Sequence, residues 1–288
     1  MNKLANDTGD EVCTPQEAVP VGDAGRVLIF DSGVGGLSIL SALKRQFKAG
    51  EFIYASDNAA FPYGTRSRSF LVARVEAVLR ALIRDYDPDI VVVACNTAST
   101  VVLPTIRSHF TLDIVGVVPA IKPAAQLTRS GTIGLLGTPG TVNRDYTDRL
   151  IEEFAAHLRV IKVGSSELVD LAEQALRGQA LCHETLKAIL APMFDEPDLD
   201  TVVLACTHFP LIRTQLETAA PRKVAWVDSG AAIARRVASL RHRLELKRDG
   251  GVERNTTTAV FTQSAPDIQA LQPALESFGC QRIDVLAP

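Results

Sequence analysis

The chain has 288 residues, 47% of them apolar, and a formal net charge of −3. That is enough apolar chain for one large domain or two smaller ones. No run of lysine or arginine dominates, so the sequence carries no electrostatic footprint for nucleic acid or an anionic membrane and points to a small-molecule partner.

Residues 1–24 lack a basic leader and an apolar core, so they read as a polar extension and not as a secretory signal. No later apolar run reaches the roughly 18–20 residues of a membrane span, and a cytoplasmic protein is expected. The five cysteines (Cys13, Cys95, Cys182, Cys206 and Cys280) include no CxxC pair. They are expected as thiols, without a structural zinc site.

Apolar, β-branched runs then recur along the chain, at 26–30, 52–55, 89–95, 113–118, 132–137, 159–163, 201–206, 224–227 and 258–262. Between them lie stretches with helical spacing, such as Val72, Val75, Leu79 and Leu82, or Leu168, Leu171, Ala175 and Leu176. Alternation of this kind predicts an α/β fold with mainly parallel sheets covered on both faces. The polar stretch 245–258 is expected as a solvated loop before a last strand and helix.

Two strands repeat: "DIVVVAC" at 89–95 and "DTVVLAC" at 200–206 align on their cysteines, 111 residues apart. "FDSGVGG" at 30–36 is echoed by "VDSGAA" at 227–232. The repeats suggest two similar three-layer αβα lobes related by a pseudo-twofold axis, with a cleft between them. The first lobe is expected to comprise 25–118 plus 230–288, and the second 119–229.

Ligands of such sheets gather outside the carboxyl ends of the strands, where both cysteines fall. In "LIFDSGVGGLS" a strand ends at Asp31 and a glycine-rich turn opens a helix. It reads either as an anion cradle or as a plain tight βα turn. A dinucleotide fingerprint fits poorly, because Ser38 stands at its third glycine and both cysteines would go unexplained. "SDNAAFPYGTRS" at 56–67 is either a turn or a carboxylate site formed by turn amides with Tyr63.

One buried cysteine is ordinarily a small hydrophobe. Cys95 and Cys206 are flanked by donors and acceptors (Asn96, Thr97, Thr207 and His208) that a structural thiol does not need. Two equal groups facing one cleft suit inversion of a carbon stereocentre, one thiol taking the proton and the other returning one. Asp31 near one thiol and His208 beside the other are expected to assist proton movement.

Taken together, "FDSGVGGLS", "SDNAAFPYGTRS", "ACNTAST", "LLGTPGTV", "ACTHFPLI" and "VDSGAA" resemble the glutamate racemases of the cofactor-independent aspartate/glutamate racemase superfamily, from about residue 26 to the end of the last helix. The resemblance implies interconversion of L- and D-glutamate, for peptidoglycan synthesis, without pyridoxal phosphate or metal. It makes Cys95 and Cys206 the catalytic acid/bases, the first acting on the D- and the second on the L-enantiomer. It places Asp31, Ser32, Tyr63, Gly64, Asn96, Thr97, Thr207 and His208 around the substrate, and gives Glu173 the support of His208. The sequence departs from the family pattern at Gly164 and Ser165, where a cysteine–proline pair is common, and at Ala60, expected at the cleft rim. Related substrates such as aspartate, or a decarboxylase role, are the alternatives within enzymes. The family also implies a homodimer and, through residues 1–24, an association with DNA gyrase.

Overall fold

A computed structural model describes residues 25–245 and 255–286. The extension 1–24, on which the gyrase expectation rests, lies outside them, as does most of the polar stretch 245–258.

In chain order the elements are β1 (Arg26–Asp31), α1 (Gly36–Gln46), β2 (Gly50–Ser56), α2 (Arg68–Tyr86), β3 (Ile90–Val93), α3 (Asn96–His109) and β4 (Asp113–Gly116). The chain then crosses to α4 (Ile121–Leu127), β5 (Thr132–Gly137), α5 (Pro139–Val142), α6 (Asp145–Ala155), β6 (Arg159–Gly164), α7 (Glu167–Leu176), α8 (His183–Phe194), β7 (Thr201–Leu204), α9 (Arg213–Ala219) and β8 (Ala225–Val227). It returns through α10 (Gly230–Glu245), β9 (Asn255–Phe261), α11 (Asp267–Ser277) and β10 (Arg282–Val285).

All strand pairs are parallel. One sheet runs β10-β9-β2-β1-β3-β4 and the other β6-β5-β7-β8. The second therefore repeats the β2-β1-β3-β4 order of the first, strand for strand. Cys95 follows the third strand of one lobe and Cys206 the third strand of the other, so the two thiols occupy the same topological position.

Period-2 side-chain alternation lets each central strand feed two cores. Val27 and Ile29 of β1 enter one cluster, while Leu28 and Phe30 enter the opposite one. Beyond β3, Cys95 continues the row of Val91 and Val93. Beyond β7, Cys206 continues that of Val202 and Leu204. Asp89 and Asp200, matched in the repeat, both tie down the start of a neighbouring strand. Asp89 accepts the Arg26 N–H at 2.7 Å, and Asp200 accepts the Arg129 and Ser130 N–H groups just ahead of β5.

The structure corrects four readings. Both cysteine strands stop two residues short of the thiol, at Val93 and Leu204, because Cys95 already serves as N-cap of α3 and Cys206 starts a turn. Residues 255–258 are not loop but the opening of β9, paired with Gly50–Ile53 of β2. A strand, β10, follows the last helix; it is only four residues long, and its alternating apolar residues Ile283 and Val285 remain exposed, so it offers little signal to read. The "VDSGAA" echo is not structurally equivalent to "FDSGVGG", since Asp228 follows the fourth strand of its sheet; by strand register the counterpart of Asp31 is Gly137, the last residue of β5, and Thr138 matches Ser32.

Among the described residues no helix is long and apolar enough to cross a membrane.

Candidate active site

Carboxyl ends of strands from both sheets converge on one cavity of about 220 Å³. This is below the ~300–1,000 Å³ of drug-sized pockets and suits a small metabolite. Ser32 arrives from β1, Tyr63 and Gly64 from the turn after β2, and Cys95, Asn96 and Thr97 from the end of β3; Cys206, Thr207 and His208 arrive from β7. Asp31 and Glu173 do not line the cavity but lie directly behind it.

Cys95 is held by the start of α3. The Ser99 hydroxyl donates to the Val93 carbonyl at 2.7 Å and accepts the Val117 N–H at 3.0 Å, stitching the helix to the ends of β3 and β4. The Ser32 hydroxyl lies 3.8 Å from the Cys95 sulfur. Burial, and after it the charge of Asp31, pushes the Cys95 thiol well above its ordinary value, against the Ala98 amide and the Ser32 hydroxyl. The Asp31 charge therefore disfavours the thiolate here and favours the protonated thiol.

Around Cys206 the charges have the opposite sense. His208 Nδ1 lies 3.7 Å from its sulfur, and Nε2 lies 2.9 Å from Glu173 Oε1. Burial would lower the His208 value, but its hydrogen bonds to Cys206 and Glu173 outweigh burial and raise it well above the usual imidazole range. For Glu173 burial pushes upward, yet His208, the Val34 amide and Arg177 hold the carboxyl down at about 2. An imidazolium thus sits beside one sulfur, where it stabilises negative charge.

The glycine turn resolves into a packing device. A Cβ on Gly35 would stand 2.6 Å from His208 Nδ1, and one on Gly33 would stand 3.0 Å from Nε2. The turn's amides hold the chain's own carboxylates. The Ser32 and Gly33 N–H groups donate to Asp31 Oδ1 at 2.6 and 3.3 Å, and the Val34 N–H donates to Glu173 Oε1 at 2.8 Å. Asp31 Oδ2 accepts the Thr207 hydroxyl at 2.8 Å, tying the two lobes together beneath the cavity. Burial raises the Asp31 carboxyl, opposed by His208, the Thr207 hydroxyl and these amides.

The Tyr63 side chain is spoken for. Its hydroxyl donates to buried Asp57 at 2.6 Å, and Asp57 also receives Arg74 and the Thr262 hydroxyl. What the turn offers to a ligand is the Tyr63–Gly64 backbone. Ala60 is buried in the first-lobe core with Tyr63 and Val93, and does not reach the cleft rim.

The Asn96 side-chain carbonyl is buried and has no hydrogen-bond partner, in a residue that lines the cavity. An orphaned buried acceptor costs about 1–3 kcal/mol, which a ligand N–H would recover. Among the described residues no lysine or arginine lines the cavity; its wall carries Thr138, Thr141, Ser166 and Asp170, none of which the sequence reading singled out. Thr138 and Thr141 had a signal in the "LLGTPGTV" motif and in their place after the strand equivalent to β1. Among the described residues no group of His, Cys, Asp or Glu is placed to hold a metal ion.

Comparison with known proteins agrees with this architecture. The Asp/Glu/Hydantoin racemase family model matches residues 32–237. A glutamate racemase of Salmonella paratyphi A is 46% identical over 275 residues, 95% of this chain and 94% of the relative. The crystal structure of Escherichia coli glutamate racemase in complex with L-glutamate and the activator UDP-MurNAc-Ala is 44% identical with a TM-score of 0.84, covering 91% of this chain and 98% of that one. A Bacillus anthracis glutamate racemase structure is 26% identical with a TM-score of 0.77, over 91% of this chain and 97% of that one. The chain belongs to the Asp/Glu/hydantoin racemase family.

Proposed function

We propose that this amino-acid racemase interconverts L- and D-glutamate by a two-base mechanism in which Cys95 and Cys206 exchange roles as acid and base, and that it supplies D-glutamate for peptidoglycan. The observation that carries the mechanism is the pair of thiols lining one cavity from equivalent strands, one set toward the thiol form and one beside an imidazolium. With L-glutamate, the sulfur of Cys206 takes the Cα proton and Cys95 delivers its own to the opposite face. The reverse reaction starts with both thiols in the other state. The Asn96 carbonyl suits the substrate ammonium; the Thr97 hydroxyl and the Tyr63–Gly64 backbone suit its carboxylates, while the Thr207 hydroxyl donates to Asp31 and has only acceptor capacity to offer. Full-length relatives named glutamate racemase favour glutamate over aspartate. Polarimetry of the purified protein on both amino acids tests this: rotation should decay to zero with glutamate and persist with aspartate. Turnover of aspartate alone would overturn the assignment.

A second cavity supports regulation by an anionic nucleotide such as the activator bound to the E. coli relative. It measures about 490 Å³ and is lined by Arg68 and Arg107 of one lobe and Arg144 and Arg149 of the other; among the described residues Asp145 is the only acidic one in its wall. Burial, then the nearby charge of Arg68, pushes Arg144 down, a repulsion that a bound diphosphate would relieve. The cavity shares α3 with the thiol site, and Arg144 donates to the carbonyl of Gly140, which lines that site. UDP-MurNAc-Ala is expected to raise kcat/KM in the full-length protein. An Arg68→Ser/Arg149→Ser variant should keep basal turnover and lose the response. An unchanged response in that variant would contradict the placement.

A further inference from the structure

Glu173 has its two carboxylate oxygens assigned to different tasks. Oε1 accepts the Val34 N–H and faces His208 Nε2, whereas Oε2 accepts from Arg177 at 2.7 Å. Arg177 follows Glu173 by four residues, and the same guanidinium nitrogen also donates to the Glu173 carbonyl at 2.7 Å. That places it over the end of α7, where a cation complements the helix dipole and cannot follow a carboxylate that turns away. Glu173 needs such a clamp. Behind it lies a cavity of about 270 Å³ lined by Glu173, Arg177, Gly33, Val34 and Phe61 among others. Without Arg177 the carboxylate has room to rotate out of the His208 contact and become hydrated.

We propose that Arg177 is a positioning residue for the reaction: it locks the Glu173 carboxylate so that Oε1 holds His208, and through His208 it sets the proton-transfer competence of the Cys206 side alone. Cys95 is served by a separate set of groups (Ser32, Asp31 and the start of α3), so the effect is one-sided. This rests on the two-thiol reading above.

The test uses full-length Arg177→Ala and Arg177→Lys, with Cys206→Ala as reference. Arg177→Ala should lose about 10- to 100-fold in kcat/KM, the scale on which misplacement of a supporting group acts. Enantiomers have equal free energy, so that loss must be equal in both directions. The one-sidedness shows instead in the primary isotope effects with α-deuterated substrates. The effect should grow for the enantiomer deprotonated by Cys206 and shrink for the other. Ethylguanidine, which can enter the cavity vacated by the side chain, should restore part of the rate, and Arg177→Lys should retain more activity than Arg177→Ala. Wild-type kcat/KM in Arg177→Ala, or a loss that leaves both isotope effects unchanged, would overturn the assignment. If Arg177→Ala does not fold, the isotope effects of Arg177→Lys decide. Wild-type behaviour of both Arg177 variants beside an inactive Cys206→Ala removes only the role of Arg177; an active Cys206→Ala removes the two-thiol reading itself.

Discussion

Replacing either Cys95 or Cys206 by alanine is expected to abolish racemisation in both directions, with kcat reduced by at least ~10³-fold. Each direction needs one sulfur to remove the Cα proton and the other to return one, so no direction is spared. A positioned acid or base contributes about 10²- to 10⁴-fold, and His208, which also lines the wall, is held between the Cys206 sulfur and Glu173. The two groups act as a unit, so the double variant should be little worse than either single one; losses that multiply would mean independent roles. Folding is not at stake. Both residues are buried at the rims of apolar clusters, and removing one sulfur costs on the order of 1 kcal/mol. Thermal unfolding alongside the kinetics separates a lost thiol from a lost fold.

The second large effect is expected at His208. His208→Asn keeps a polar side chain but cannot carry the charge, and kcat/KM should fall by roughly 10²- to 10³-fold, the scale of removing one group that stabilises developing charge. The wild-type pH profile carries the same information. The folded-state value of His208 is raised, so the imidazolium persists through neutral pH and is lost only as pH climbs through that raised value. Activity that depends on the cation should therefore hold across neutral pH and decline on the alkaline side. The linked stability has matching signs. The contribution of His208 is complete below its unfolded value of about 6.5 and fades as pH rises through the folded one. That of Glu173, whose value is depressed to about 2, is complete above the ordinary carboxylate range and is lost as pH falls through about 2. An alkaline limb that survives in His208→Asn would assign it to another group.

Much of this site could be read from the chain because its chemistry sits in local motifs. Cys95 and Cys206 stood out through a repeated strand, and that strand repeats because both lobes build the same sheet order around it. Glu173 was reached only through family resemblance. Its tie to His208 spans 35 residues, from one helix to another strand's end, and leaves no periodic signal. The role of the glycines was not readable either. They looked equally like an anion cradle and a turn, and what they provide is room for Thr207 and His208 from the other lobe. Tyr63 misled in a similar way, since nothing in "PYG" announces that Asp57, six residues earlier, takes its hydroxyl. Arg177 looks in sequence like any cation near a helix end. Only the cavity behind Glu173 gives it a task.

The central claim is that two different sulfurs serve the two faces of one Cα. Racemisation of unlabelled L-glutamate in D₂O, stopped after a few per cent of conversion, tests this most directly. Thiol protons exchange with solvent in the free enzyme, before substrate covers them, so the D-glutamate formed should carry Cα deuterium, delivered by Cys95. The recovered L-glutamate should remain almost unlabelled, because Cys206 returns the same proton it removed. Deuterium appearing equally in both enantiomers, or D-glutamate retaining the original proton, would mean a single base reaching both faces and would contradict the account.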